Sequence, residues 1–205
     1  MAEVDGLVQL MRAIARLDGS ALSMLEAQPA LALASVGAGA TRGNPKDWFF
    51  EDIAHHVYAG DRALHIAAAA YDVAVARRLI ELGADVAAAN RRGATPLHYA
   101  CDGTTSAAAD DPQQFAVVGL LIAAGGDPNA RDKSGVAPLH RAVRTRRAAA
   151  VRALLEGGAG ASLPNKSGST PLDLARQTTG RGGSGTSAAR AEQQAIIALL
   201  EAAGA

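Results

Sequence analysis

Apolar residues recur along this chain in short helical stripes divided by glycine and polar runs. Val73, Val75, Ala76, Leu79 and Ile80 form one stripe, and Phe115, Val117, Val118, Leu121 and Ile122 a second. Ala148, Ala150, Val151, Leu154 and Leu155 form a third, and Ala195, Ile196, Leu199 and Leu200 a fourth. Their i, i+3, i+4, i+7 spacing predicts amphipathic helices with one buried face. Gly83, Gly125 and Gly158 follow the first three stripes, where helix C-caps favour glycine. Ahead of each stripe stands a four-residue motif: Arg62-Ala63-Leu64-His65, Thr95-Pro96-Leu97-His98, Ala137-Pro138-Leu139-His140 and Thr170-Pro171-Leu172-Asp173. The fourth positions are separated by 33, 42 and 33 residues. Thr95 and Thr170 precede prolines, and a proline opening a helix forfeits no needed hydrogen bond. Gly93, Gly135 and Gly168 each lie five residues before the fourth position, where a hairpin tip needs a left-handed backbone. The pattern predicts repeated helix pairs joined by hairpin fingers, stacked so that neighbours share one interior. A large apolar side chain buried between such layers contributes roughly 1.5–3 kcal/mol.

The second unit, Arg91-Arg92-Gly93-Ala94-Thr95-Pro96-Leu97-His98-Tyr99-Ala100 ending in Gly125-Gly126-Asp127-Pro128-Asn129-Ala130, resembles the ankyrin repeat family. The likeness is strong over 57–205 and weaker over 1–35. There Leu7, Leu10, Met11, Ile14 and Leu17 make one amphipathic helix, and Leu22, Met24 and Leu25 begin another. The resemblance implies an all-α solenoid of stacked helix-turn-helix units with hairpin fingers and a degenerate N-terminal capping repeat. One domain is expected over 1–205: a capping repeat with an expanded finger at 1–60, then repeats at 61–93, 94–135, 136–168 and 169–205. It also implies that His65, His98 and His140 tie finger to helix by bridging a threonine hydroxyl and neighbouring backbone. Only Thr95 supplies that hydroxyl, since Arg62 and Ala137 replace it and Asp173 replaces the last histidine.

Three segments depart from the period. The second repeat is lengthened at 102–112, and the fourth at 178–190 by about twelve residues over the 33-residue period. Both insertions lie between the helices of a pair, as tolerated surface loops or as lips of a binding face. The third is Trp48-Phe49-Phe50-Glu51-Asp52-Ile53-Ala54-His55-His56-Val57-Tyr58, holding most of the chain's few aromatics. Asn44 or Asp47 is expected to cap a short helix over the first repeat, anchored by Phe49 or Phe50 with Ile53. Trp48 or Tyr58 would then be presented to a partner.

Composition narrows the function classes. Twenty basic and twenty acidic residues balance formally, which disfavours a chain built to hold nucleic acid or an anionic membrane. Cys101, the single cysteine, excludes an intrachain disulfide and is expected to be a buried structural thiol. No run reaches the ~18 apolar residues of a spanning helix and the N-terminal region lacks signal character, so a cytoplasmic location is expected. Gly180-Arg181-Gly182-Gly183-Ser184-Gly185 matches G-x-G-x-x-G, but no strand precedes it and no lysine follows. A flexible linker explains it better. His55 and His56 point about 100° apart on a helix and lack further ligands in sequence, so no metal is expected. Neither a cofactor nor a nucleophile–base set can be assembled, and no enzyme activity or small-molecule substrate is expected.

The resemblance implies a protein partner on the concave face of fingers and first helices. Position by position this gives Tyr58, Asp61, Arg91, Arg92, Lys133, Ser134, Lys166 and Ser169 on fingers, and Asp102, Arg144, Thr145 and Gln177 on helices, with Trp48 from the expansion. Arg91, Arg92, Lys133, Arg144 and Lys166 make a basic ladder, an ordinary solvated face or a track for an acidic segment. The alternative is a nucleic-acid or phosphate-ligand binder using the same ladder.

Overall fold

The structure, a computed structural model, describes residues 2–102, 111–177 and 187–205. Most of the 102–112 and 178–190 insertions, with Arg181 and its glycine-rich motif, lie outside them. Helices α1 (Ala2–Arg16) and α2 (Ser20–Ala27) pair at the N-terminus. An expanded finger follows, containing the two-residue strands β1 (Phe49–Phe50) and β2 (His55–His56). Then come four helix pairs: α3 (Ala63–Ala69) with α4 (Val73–Glu81), α5 (Pro96–Ala100) with α6 (Pro112–Ala123), α7 (Pro138–Arg144) with α8 (Ala148–Glu156), and α9 (Pro171–Arg176) with α10 (Ser187–Ala202). Each first helix packs on the next, and α1 packs on α3, giving an all-α solenoid.

The interior is built in columns. Leu64, Leu97, Leu139 and Leu172 occupy one column, and Ala67, Ala100, Ala142 and Ala175 another, all buried. Alanine in the second column lets first helices approach closely. Leu79, Leu121, Leu154 and Leu200 form the matching column of the second helices. In α10 the inward residues are Ile196 and Leu200, whereas Ala195 is exposed. The N-terminal pair follows the same plan: Leu17, Tyr71 and Arg146 each close a helix pair in the left-handed region, with φ 54°, 57° and 56°.

Each finger is folded by its own side chain. Asn90 Oδ1 accepts from the amides of Arg92 (2.8 Å) and Ala94 (3.1 Å). Asp132 does the same for Ser134 and Val136, and Asn165 for Ser167 and Ser169. Gly93 turns the tip at φ 78°, and a Cβ there would stand 2.9 Å from the Lys133 nitrogen of the next finger. Neighbouring fingers join through Arg91 N–H to Ala59 O (2.7 Å) and Lys133 N–H to Arg92 O (2.9 Å).

The repeating histidines weld finger to finger. Nδ1 of His65, His98 and His140 accepts the amides of Arg62, Thr95 and Ala137 at 3.1–3.2 Å. That fixes the proton on Nε2, which donates to the carbonyls of Ala94, Val136 and Ser169 in the following finger, at 3.2, 3.0 and 3.3 Å. The Thr95 hydroxyl adds a contact at 2.9 Å to His98, yet the amide bond forms without it in the other two repeats. Asp173 instead makes a closed box with Thr170: its Oδ2 accepts the Thr170 amide (2.9 Å) and hydroxyl (2.7 Å), and nothing reaches onward among the described residues.

The expanded finger corrects the expected helix. Phe49 pairs with His56 and Phe50 with His55 in an antiparallel hairpin, preceded by a short 3-10 turn at Lys46–Trp48 and closed by another at Glu51–Ile53. Asn44 caps no helix; its Oδ1 accepts the Thr41 amide at 2.9 Å and closes a loop. Asp47 lies inside the first 3-10 turn. The chain reverses at Ala54, which holds φ 49° in the left-handed region, so the two aromatic and two histidine residues pair as strands instead of continuing a helix. Phe50 and Ile53 reach the core, while His55 is turned toward the second repeat. Phe50 is the anchor, buried beside the N-terminal pair with the Arg12 guanidinium 4.8 Å from its ring centre.

Candidate functional site

The side formed by fingers and first helices carries a cavity of about 370 Å³ between the expanded finger and the first helices of repeats two and three. The hairpin supplies Ala54, His55 and His56; the adjoining fingers supply Tyr58, Asn90, Arg92 and Ala94. Helices α5 and α7 and their C-terminal ends supply Tyr99, Asp102, Arg141, Arg144 and Thr145.

Its floor is an ion-pair chain. Asp102 Oδ2 accepts from His55 Nε2 and from the Arg141 guanidinium, each at 2.9 Å. Arg141 also donates to Asp132 Oδ2 at 3.2 Å. His55 Nδ1 lies 2.9 Å from the His56 carbonyl, so both ring nitrogens face acceptors, an arrangement that favours the protonated ring. Burial disfavours that charge, but the Asp102 hydrogen bond and carboxylate outweigh it and raise the His55 pKa. Burial likewise pushes Asp102 up, and the His55 hydrogen bond with the Arg141 charge reverses it, leaving the carboxyl below its ordinary value. The His55 ring stacks on Tyr99, ring centres 4.1 Å apart and 26° between planes.

Beneath Tyr99 lies a second polar network. Asp61 Oδ2 accepts the Tyr99 hydroxyl and the Tyr58 amide, both at 2.7 Å, and Oδ1 accepts Asn90 Nδ2 at 2.9 Å. Asp61 is fully buried, which corrects its expected role as a partner contact: it serves as the internal strut between the first finger and repeat two. Asp102 is also largely spent on internal pairs, with 18% of its side chain exposed.

The ladder is uneven. Arg91 is exposed, but its guanidinium donates to the Ala40 carbonyl and lies 5.3 Å from the Tyr58 ring centre, clasping the expanded finger. Arg92 also lies over this ring, at 5.1 Å. Lys166 donates to the Lys133 carbonyl at 2.5 Å, along the fingertips. Arg144 is exposed and makes no hydrogen bond or ion pair among the described residues. Gln177 is exposed beyond it, beside a smaller hollow. Trp48 is half-buried against the core, and Tyr58 is half-buried beside the two arginines.

The structure adds His55, His56, Tyr99 and Arg141 to the residues expected on this face. The signal for Arg141 was present in the repeat register: the residue after the fourth motif position is Ile66, Tyr99, Arg141 and Leu174. An arginine in a column of apolar residues needs an internal carboxylate. His55 and His56 face different surroundings, His55 toward Asp102 and His56 toward Phe49, with ring centres 4.8 Å apart. Among the described residues no His, Cys, Asp or Glu group of three or more is placed to hold a metal ion. Cys101 is fully buried, and burial drives its thiol pKa far up, against use as a nucleophile. Among the described residues no helix is long and apolar enough to cross a membrane.

Comparison with known proteins agrees with this architecture. Models of ankyrin repeats in many copies match residues 64–104 and 121–175, and a single ankyrin repeat model matches 92–133. A search of curated proteins finds no match. Matches that run from residue 64 to residue 175, more than half of the chain, over helix pairs whose histidines link successive fingers, place this protein in the ankyrin repeat family.

Proposed function

We propose that this protein is a non-catalytic recognition module that binds a partner protein on its concave finger and first-helix face. Ankyrin repeats are protein–protein interaction modules. The observation that carries the reading here is the concave cavity, rimmed by Arg92 and Arg144 over a floor whose one carboxylate, Asp102, is already paired with His55 and Arg141. Such a surface offers fixed donors to an acidic segment while its scaffold stays rigid. Lys133 and Lys166 extend the positive face along the fingertips, and Tyr58, Trp48 and Gln177 flank it.

Affinity capture from the native cell extract tests this. The wild-type chain should retain a partner that an Arg92→Glu, Arg144→Glu double variant loses. Identical captured sets would defeat the reading. Binding of the same face to nucleic acid, the rival use of the ladder, would show as a steep loss of affinity with added salt.

A further inference from the structure

We propose that the cavity beneath the first-finger hairpin is a carboxylate socket, in which Arg92 and Arg144 grip a single acidic group of a bound peptide. This rests on the reading of the concave face as a protein-docking surface and specifies its anchor. Asp102 is the sole acid among the described lining residues, and it is already paired with His55 and Arg141. What the cavity presents to a ligand is therefore donors. Arg144 is unengaged among the described residues. Arg92 is steadied over Tyr58, with its guanidinium 3.4 Å from the hydroxyl, so little order must be gained on binding. Arg141 Nε is buried without a hydrogen-bond partner on the floor of the same cavity.

Charge and size set the ligand class. The guanidinium groups of Arg92, Arg141 and Arg144 outnumber Asp102, the one carboxylate among the described lining residues. A volume of about 370 Å³ holds a side chain or a chain terminus, not a folded surface. A planar carboxylate also matches the guanidinium fork. The group can be a glutamate or aspartate side chain or a C-terminal carboxylate.

Fluorescence anisotropy with the full chain separates these cases. One probe is a labelled octaglutamate amidated at its C-terminus; the other is a labelled octaalanine with a free carboxyl end. At least one should bind. Arg144→Gln and, separately, Arg92→Gln should each weaken it by roughly tenfold. Lys166→Gln, on the ladder but outside the cavity, should leave affinity within about twofold. Circular dichroism confirms that these surface variants are folded. Equal losses in Lys166→Gln and Arg144→Gln would overturn the socket while leaving a diffuse acidic-partner face intact. Failure of both peptides to bind would also overturn it. So would tighter competition by inorganic phosphate or by a short thymidine oligonucleotide.

Discussion

Replacing Asp61 by Asn changes a single atom in the strut that joins the first finger to the second repeat. The carboxylate accepts three hydrogen bonds, from Tyr58 N–H, Tyr99 O–H and Asn90 Nδ2, and is fully buried. An amide can keep its oxygen toward Tyr58 and Tyr99, but its nitrogen then meets the Asn90 amide nitrogen, donor against donor. Asn90 cannot turn to relieve this, because its oxygen holds the Arg92 and Ala94 amides. Flipping the new amide sets its nitrogen against the Tyr58 N–H instead. Either arrangement strands a buried donor, at about 1–3 kcal/mol. Asp61→Ala strands all three donors and should cost roughly 3–5 kcal/mol. Urea unfolding followed by ellipticity measures the totals. Amide exchange at Tyr58 and Asn90 localises the loss, which matters because stacked repeats can open separately. A stability for Asp61→Asn within about 0.5 kcal/mol of wild type, with unchanged protection at Tyr58, would refute the donor count.

Other expectations follow from the same geometry. Arg141→Ala leaves Asp102 and Asp132 short of their shared cation and should destabilise by about 3–5 kcal/mol. It should also push the His55 pKa further up, read by NMR titration. His98 is buried and its pKa is lowered to about 4, first by burial and then by the Arg141 charge. A folded value below the unfolded ~6.5 means stability present above pH 6.5 and lost as pH falls toward 4, about 3 kcal/mol from this group, measurable as urea midpoints against pH. His55 has the opposite sign: its contribution is complete below pH 6.5 and fades as pH rises through its raised value. The stability gap between wild type and His55→Gln should therefore narrow with rising pH. Leu17 holds φ 54° while 59% exposed, so Leu17→Gly should raise the melting stability by about 1 kcal/mol despite the lost side chain.

Much of the fold was legible because its cause is periodic. Leu64, Leu97, Leu139 and Leu172 recur at fixed positions, and their burial follows from that recurrence. The expanded finger was not legible, because it occurs once. Its aromatic run fits a helix as well as a hairpin until tertiary contacts decide, and here the burial of Phe50 and the bond of His55 to Asp102 favour the hairpin. The site lay between these cases. Arg144 could be placed from the register, but the pairing of His55 with Asp102, 47 residues apart, has no local signature. Asp61 carried a readable signal, since its equivalents are Ala94, Val136 and Ser169. A carboxylate among small or apolar equivalents marks an internal role, which position relative to the motif alone assigned to the surface.

The exchange of histidine for Asp173 bears on how such arrays can be lengthened. The three units bearing His65, His98 and His140 each offer a coupling to the next through an imidazole nitrogen, whereas the unit bearing Asp173 satisfies its own amide and offers none among the described residues. A graft placed behind this unit would lack the link that orients an incoming hairpin, and Asp173→His would restore it. Moved intact to the back of a longer chimera, the same unit would act as a modular stop.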